Sequence, residues 1–194
     1  MILTFYLGAT LLFFILAFAT KNLKTYLATK QSIKGKSLKL TMSILVSTLI
    51  YLLIFLRLTV LSPSWILELG LAGFSAIKTF GVILVSFGFA MGILALIAMK
   101  NSWRVGIKYD QKTELVTTGI YRVSRNPYFF SYNILIFGYI CIFPSAIIFI
   151  LYAILVGVFH HMILEEEAYL ESVHGDAYTN YKRKVNRYFS FKLF

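Results

Sequence analysis

The stretch TTGIYRVSRNPYFFSY, residues 117–132, places Arg122, Arg125 and an Asn126-Pro127 step directly before a long apolar run. No Asp, Glu, Lys or Arg follows Arg125 until Glu165. Pro127 suits the first turn of a helix, where its missing N–H has no intrahelical partner to lose. A doubly cationic, aromatic-rich segment that opens an apolar helix belongs at a membrane interface, and the rest of the chain agrees. Of its 194 residues, 59% are hydrophobic, and the mean hydropathy is +0.77. Both values exceed what soluble domains show.

Spanning a bilayer as helix takes about 20 mostly apolar residues. Five runs qualify: about 2–20, 41–61, 77–99, 128–144 and 145–164. The chain is therefore expected to be an all-α integral membrane protein with five transmembrane helices. Helices four and five should form a tight hairpin turned at Pro144-Ser145. Ala17-Phe18-Ala19 has the small-residue look of a signal-peptidase site, but no positive charge precedes the apolar run, so a retained first helix is expected. One domain is expected over 1–194, with lipid-embedded helices in 1–99 and the chemistry in 100–194. Cys141 is the sole cysteine, so no internal disulfide can form.

The net charge of +11 is explained by where it sits. Lys21, Lys24, Lys30, Lys34, Lys36 and Lys39 follow the first run. Lys100, Arg104, Lys108, Lys112, Arg122 and Arg125 follow the third. Lys182, Arg183, Lys184, Arg187 and Lys192 lie in the tail, whereas the second connection offers only Glu68, with Lys78 entering the next helix. The excess of basic residues predicts a cytoplasmic location for the first and third connections and the C-terminus, with the N-terminus outside. The charge is read as topology and as attraction to anionic membrane lipids rather than as nucleic-acid binding. Gly81, Gly88 and Gly92 are read as a close helix-packing stripe, and Arg57 as an interfacial side chain.

Three pieces converge at the predicted cytoplasmic face: the loop 100–127, the start of helix four at Tyr128-Phe129, and Glu165-Glu166-Glu167 at the end of helix five. A hairpin brings the last two together. Arginine can clamp a carboxylate, a glutamate can take an ammonium or ribose hydroxyls, and Tyr121, Tyr128 and Phe129 can flank an adenine or a sulfonium. S-adenosyl-L-methionine carries all these groups. His160, His161, Glu165 and His174 lack metal-ligand spacing, so no metal is expected.

Leu115-Val116-Thr117-Thr118-Gly119-Ile120-Tyr121-Arg122, with Arg125-Asn126-Pro127-Tyr128-Phe129, resembles a conserved segment of the isoprenylcysteine carboxyl methyltransferase family. Glu165 to Leu170, then His174-Gly175-Asp176-Ala177-Tyr178 and Tyr181 to Val185, resembles the ending of that family. The likeness covers about residues 112–187, and the compact build resembles small prokaryotic members. It implies S-adenosylmethionine binding by Thr113, Glu114, Leu115, Val116, Tyr121, Arg125, Asn126, Pro127, Tyr128 and Phe129. To these it adds Glu166, with Glu165 and Glu167 as neighbours by one-residue slippage. Arg125, Tyr128 and Glu166 are implied as catalytic. Asn126 stands where the family has histidine, and Phe129 where it has tyrosine. Met162 occupies the place of a substrate-side arginine, with His161 nearby. The implied reaction is methylation of a prenylcysteine carboxylate, which is ionised near neutral pH with a reference pKa of about 3.5 and needs no base. Two alternatives are N-methylation of a lipid amine such as phosphatidylethanolamine, and an NADPH-dependent sterol-type reductase drawing on Lys108, Lys112 and Arg122. The tail, 178–194, is expected to lie at the membrane interface.

Overall fold

A computed structural model describes residues 1–59 and 75–190. Glu68 and Lys192, which entered the charge argument above, lie outside the described residues. The described chain is helical: α1 (Ile2–Thr29), α2 (Leu38–Leu58), α3 (Ser75–Ala98), α4 (Pro127–Ile142), α5 (Ala146–His174) and α6 (Asp176–Lys184). Among the described residues there is no strand, only an isolated bridge between Lys34 and Val105. Four helices, α1, α2, α3 and α5, are long and apolar enough to cross a membrane. The fifth apolar helix, α4, has 16 residues and is about 24 Å long at 1.5 Å per residue.

Two helices outrun their apolar stretches. α1 continues past residue 20 to Thr29, where Lys30 closes it in the left-handed conformation at φ 54°. Lys21 and Lys24 are therefore helical, and the Lys21 ammonium donates to the Lys100 carbonyl at 2.6 Å. α5 continues past residue 164 to His174, closed by Gly175. Its polar extension carries Glu165, Glu166 and Glu167. Only Phe143, Pro144 and Ser145 separate α4 from α5, and Ser145 caps α5 by accepting from Ile148 N.

The connection between α4 and α5 is as short as expected, but the closest partner of α4 is α3. A Cβ on Gly88 would stand 2.7 Å from Leu135 N, and one on Gly138 would stand 2.8 Å from both Gly81 O and Val85 N. Real Cβ atoms do not approach backbone this closely, so only glycine permits this crossing. Tyr139, fully buried, ties the pair to α1 by donating to Leu7 O at 2.6 Å.

The first connection, the third connection and the C-terminal segment gather at one end of the bundle. Gly35 N donates to Val105 O at 2.8 Å and Val105 N to Ile33 O at 2.9 Å. Lys39 pairs with Glu165. The segment after α6 folds back on the turn before α4: Arg125 N donates to Asn186 O, Asn126 N to Arg187 O and Ser190 N to Val123 O, the last at 2.7 Å. The tail is thus built into the fold through residue 190.

Candidate active site

The three consecutive glutamates point in three directions, since neighbours on a helix are about 100° apart. Glu165 faces outward to Lys39 on α2. Glu167 is buried and holds Arg125 and Arg187. Glu166 faces a large cavity.

Glu167 is the hub of the gathered end. Arg125 donates to it from Nε at 3.1 Å and from Nη2 at 2.9 and 3.0 Å. Arg187 donates from Nε at 3.2 Å and Nη2 at 3.0 Å, and Asn126 Nδ2 donates at 3.1 Å. Arg125 Nη1 donates to the carbonyls of Lys182 and Val185, both at 3.0 Å. All the N–H groups of Arg125 are thereby committed within the protein. Although it borders the cavity, it ties α5, α4 and the tail together rather than presenting an open fork. Asn126, in place of the family histidine, uses its amide for Glu167 and for the Arg187 carbonyl at 3.3 Å.

The cavity has a volume of about 1420 Å³. Small-molecule sites usually measure about 300–1,000 Å³, so there is room for more than one ligand. At the gathered end its wall includes Thr113, Glu114, Leu115 and Val116, then Tyr121, Glu166, Tyr178 and Tyr181. Arg104 and Lys108 border the same region. Arg104 donates from Nε to Gln111 Oε1 at 2.6 Å and from Nη1 to backbone carbonyls. Its Nη2 has no partner among the described residues. Tyr181 donates to Tyr121 O at 2.6 Å. Burial, reinforced by the Glu166 carboxylate, pushes the Tyr121 phenol far above its ordinary range and keeps it neutral.

A waist of aromatic rings follows. Tyr128 lies 5.1 Å from Trp103 and 5.9 Å from Phe14 and Phe18, centroid to centroid. Phe129 lies 5.0 Å from Phe159. Beyond the waist the cavity becomes an apolar groove between α1 and α2, reaching Thr4, Phe5, Leu52 and Phe55. The wall contributed by α1 runs from Met1 to Phe18, about 25 Å of helix.

Of the residues anticipated from sequence, Thr113, Glu114, Leu115, Val116, Tyr121, Arg125, Asn126, Tyr128, Phe129 and Glu166 border this one cavity. Glu165, Glu167 and Pro127 do not. Pro127 is buried as the first residue of α4, and the other two carboxylates turn away for the reason of helical period given above. His161 is exposed and outside the cavity, while His160 bonds the Tyr188 hydroxyl at 2.6 Å. Of the three cations considered for a nucleotide 2′-phosphate, Lys108 borders the cavity whereas Lys112 and Arg122 do not. Among the described residues, no group of His, Cys, Asp and Glu could hold a metal ion. Sequence reasoning missed the contributions of α1, α2, Trp103, Arg104, Tyr178 and Tyr181. Only the two tyrosines carried a signal, as members of the ending motif.

Residues 76–177, from α3 through α5 to the start of α6, match the phospholipid methyltransferase family. No curated protein matches the chain. The family match covers just over half of the sequence and the helices that frame the polar end of the cavity. It lies in the same membrane methyltransferase superfamily as the isoprenylcysteine carboxyl methyltransferases, so the motif resemblance holds at that level. Taken with four helices of membrane-spanning length, the match makes this a multi-pass membrane methyltransferase, and the chain belongs to the phospholipid methyltransferase family.

Proposed function

We propose that the protein uses S-adenosylmethionine to methylate the headgroup amine of a membrane phospholipid, with the polar end of its cavity facing the cytoplasm. The observation that carries this reading is the contrast between Glu166 and Arg125. Glu166 is a cavity-facing carboxylate with no hydrogen-bond partner among the described residues, whereas every donor of Arg125 is occupied. Beside Glu166 the wall therefore receives a cation, while Arg125 offers no open fork to a carboxylate. The basic residues gathered at this end support the cytoplasmic assignment.

The residues present fit S-adenosylmethionine. Arg104 Nη2 suits its carboxylate, Glu114 its ammonium or ribose hydroxyls, and the rings of Trp103 and Tyr128 a positive sulfonium by cation–π attraction. The cofactor supplies a methyl carbon open to direct displacement, so the protein's task is alignment of the reacting groups. An ammonium must lose its proton before its nitrogen can attack. Glu166 is the carboxylate positioned to hold that ammonium and take the proton. Tyr121 beside it stays protonated as a fixed hydrogen-bond donor. The aromatic waist excludes water from the reacting centre, and the groove takes the lipid chains at about 0.8 kcal/mol per buried CH₂.

A second reading, methylation of a prenylcysteine carboxylate, draws on the motif spanning Leu115 to Phe129 and on Arg104 Nη2 as a cavity-side donor. Calorimetric titration of detergent-purified protein with S-adenosylhomocysteine, with NADPH in parallel, tests the cofactor. Saturable binding of the first alone is expected, and binding of NADPH alone would overturn the methyltransferase chemistry proposed here. Radiolabel transfer from S-adenosylmethionine to vesicles containing phosphatidylethanolamine, against N-acetyl-S-farnesylcysteine, then decides the acceptor. Label in the farnesyl compound only would replace the first reading with the second.

A further inference from the structure

Deep in the cavity, past the aromatic waist, an apolar wall is interrupted by hydroxyls. Ser43, Ser47 and Tyr51 lie along one face of α2 and border the cavity, as does Tyr132 on α4. Ser43 is satisfied by its own helix through Leu40 O at 2.9 Å. Tyr132 is different. It is only 4% exposed, and its hydroxyl is buried with no hydrogen-bond partner. The hydroxyls of Ser47 and Tyr51 lie near it without completing a bond of ordinary geometry. The Tyr51 and Tyr132 rings are 5.8 Å apart. Buried polar groups are normally paired, and three hydroxyls turned on one spot of a lipid-sized groove mark a place where a ligand supplies the acceptor.

The depth of this belt identifies the acceptor. The Tyr132 ring packs edge-on against Phe159 at 5.2 Å. Phe159 precedes Glu166 by seven residues on α5, so the belt lies about 10 Å along the helix from Glu166. In a phosphoethanolamine lipid, eight bonds of about 1.5 Å link the amine nitrogen to a glycerol-linkage oxygen, zigzagging over roughly the same 10 Å. In a prenylcysteine held by its carboxylate, the same depth is occupied by hydrocarbon, which leaves the Tyr132 hydroxyl unpaired. Among the described residues no cation borders the belt, which suits a neutral oxygen rather than a phosphate.

We propose that Tyr51, Tyr132 and Ser47 form a second polar subsite that hydrogen-bonds the glycerol-linkage oxygens of a glycerophospholipid. This makes the diradylglycerol unit, and not only the headgroup, part of what the protein recognises. The inference deepens the reading of the preceding subsection and rests on its placement of the amine at Glu166.

Native mass spectrometry of the detergent-solubilised protein tests it without relying on turnover. Diacyl phosphatidylethanolamine is compared with hexadecylphosphoethanolamine, which has the same headgroup and no glycerol oxygens. Wild-type protein is expected to retain the diacyl lipid about ten-fold better. Tyr132→Phe and Ser47→Ala should each reduce that preference several-fold while leaving S-adenosylhomocysteine affinity and retention of hexadecylphosphoethanolamine unchanged. Thermal unfolding of Tyr132→Phe should not fall, since the hydroxyl removed has no partner within the protein. Equal retention of the two lipids by wild type, or an undiminished preference in both variants, would overturn the subsite. A preserved preference for the diacyl lipid with no methyl transfer to it would instead refute the proposed reaction and leave the subsite standing.

Discussion

Replacing Glu167 by alanine is the most severe test of how the polar end is held together. Its carboxylate is 5% exposed and Arg125 opposite it is 7% exposed, while Arg187 is 31% exposed. Removing the carboxylate strands the Arg125 guanidinium in a nearly dry site with only the Lys182 and Val185 carbonyls for company. Breaking a buried pair in this way costs about 3–5 kcal/mol. Total stabilities run to about 5–15 kcal/mol, so the loss is a large fraction. For a chain of this length it corresponds to a fall in melting temperature of roughly 6–20 °C, at about 2–4 °C per kcal/mol. Arg187→Ala, on the half-exposed side, should cost nearer 1 kcal/mol. The assay is thermal unfolding in detergent followed by near-UV circular dichroism, run on Glu167→Ala, Arg125→Ala and the double variant. Because the double variant removes the stranded cation as well, it should be about 1–3 kcal/mol more stable than the two single losses added together. A Glu167→Ala protein within 1 kcal/mol of wild type, or strict additivity in the cycle, would refute the hub.

Glu166→Gln should bind S-adenosylhomocysteine and melt as wild type does, yet lose about 10²–10⁴-fold in methyl transfer to an amine, the range of a removed general base. Full activity in a radiolabel assay would contradict its role. Gly88→Ala should destabilise by about 1–3 kcal/mol, because the new methyl meets the α4 backbone. Gly157→Ala on α5, with open space around it, should be neutral or slightly stabilising through helix propensity. Equal melting temperatures for these two glycine variants would argue against the α3–α4 crossing. Tyr181→Phe should cost about 1 kcal/mol through loss of the bond to Tyr121 O, measurable in the same melts.

Hydrophobic runs and charge clusters were enough to read the helices and the gathering of basic segments, because length and apolarity decide both. The limits of α1 and α5 were not readable that way. Their last turns are polar, and helix there is held by tertiary partners such as Lys100 O and Lys39 rather than by lipid. The convergence of Arg125 with the glutamates followed from the short connection between α4 and α5, and the motif favoured Glu166 but left Glu165 and Glu167 open by a slip of one residue. Only the rotation of α5, fixed by packing, turns Glu166 inward. The role of α1 and α2 was invisible for a different reason. A groove is made by what two helices leave unfilled, and Ser47, Tyr51 and Phe55 look the same in sequence whether they face a neighbour, lipid or a cavity.

The shortness of α4 bears on the energetics of bringing a lipid to the reaction. At about 24 Å it falls about 6 Å short of a hydrocarbon layer of roughly 30 Å. If α4 is the fifth span that the sequence leads one to expect, that length would favour local thinning of the bilayer, at fractions of a kcal/mol per ångström of mismatch. The shortfall is set between Pro127 and the Pro144 turn, and Arg125 and Asn126 stand directly outside its first residue. The aqueous boundary would thereby be drawn inward at the helix that opens beside the carboxylate proposed to react, Glu166. Under the proposed reaction, a headgroup at its resting depth would then meet the water-borne reactant without its tails being lifted out of the oily layer, so extraction, the main energetic obstacle to chemistry on a bilayer lipid, would largely be avoided.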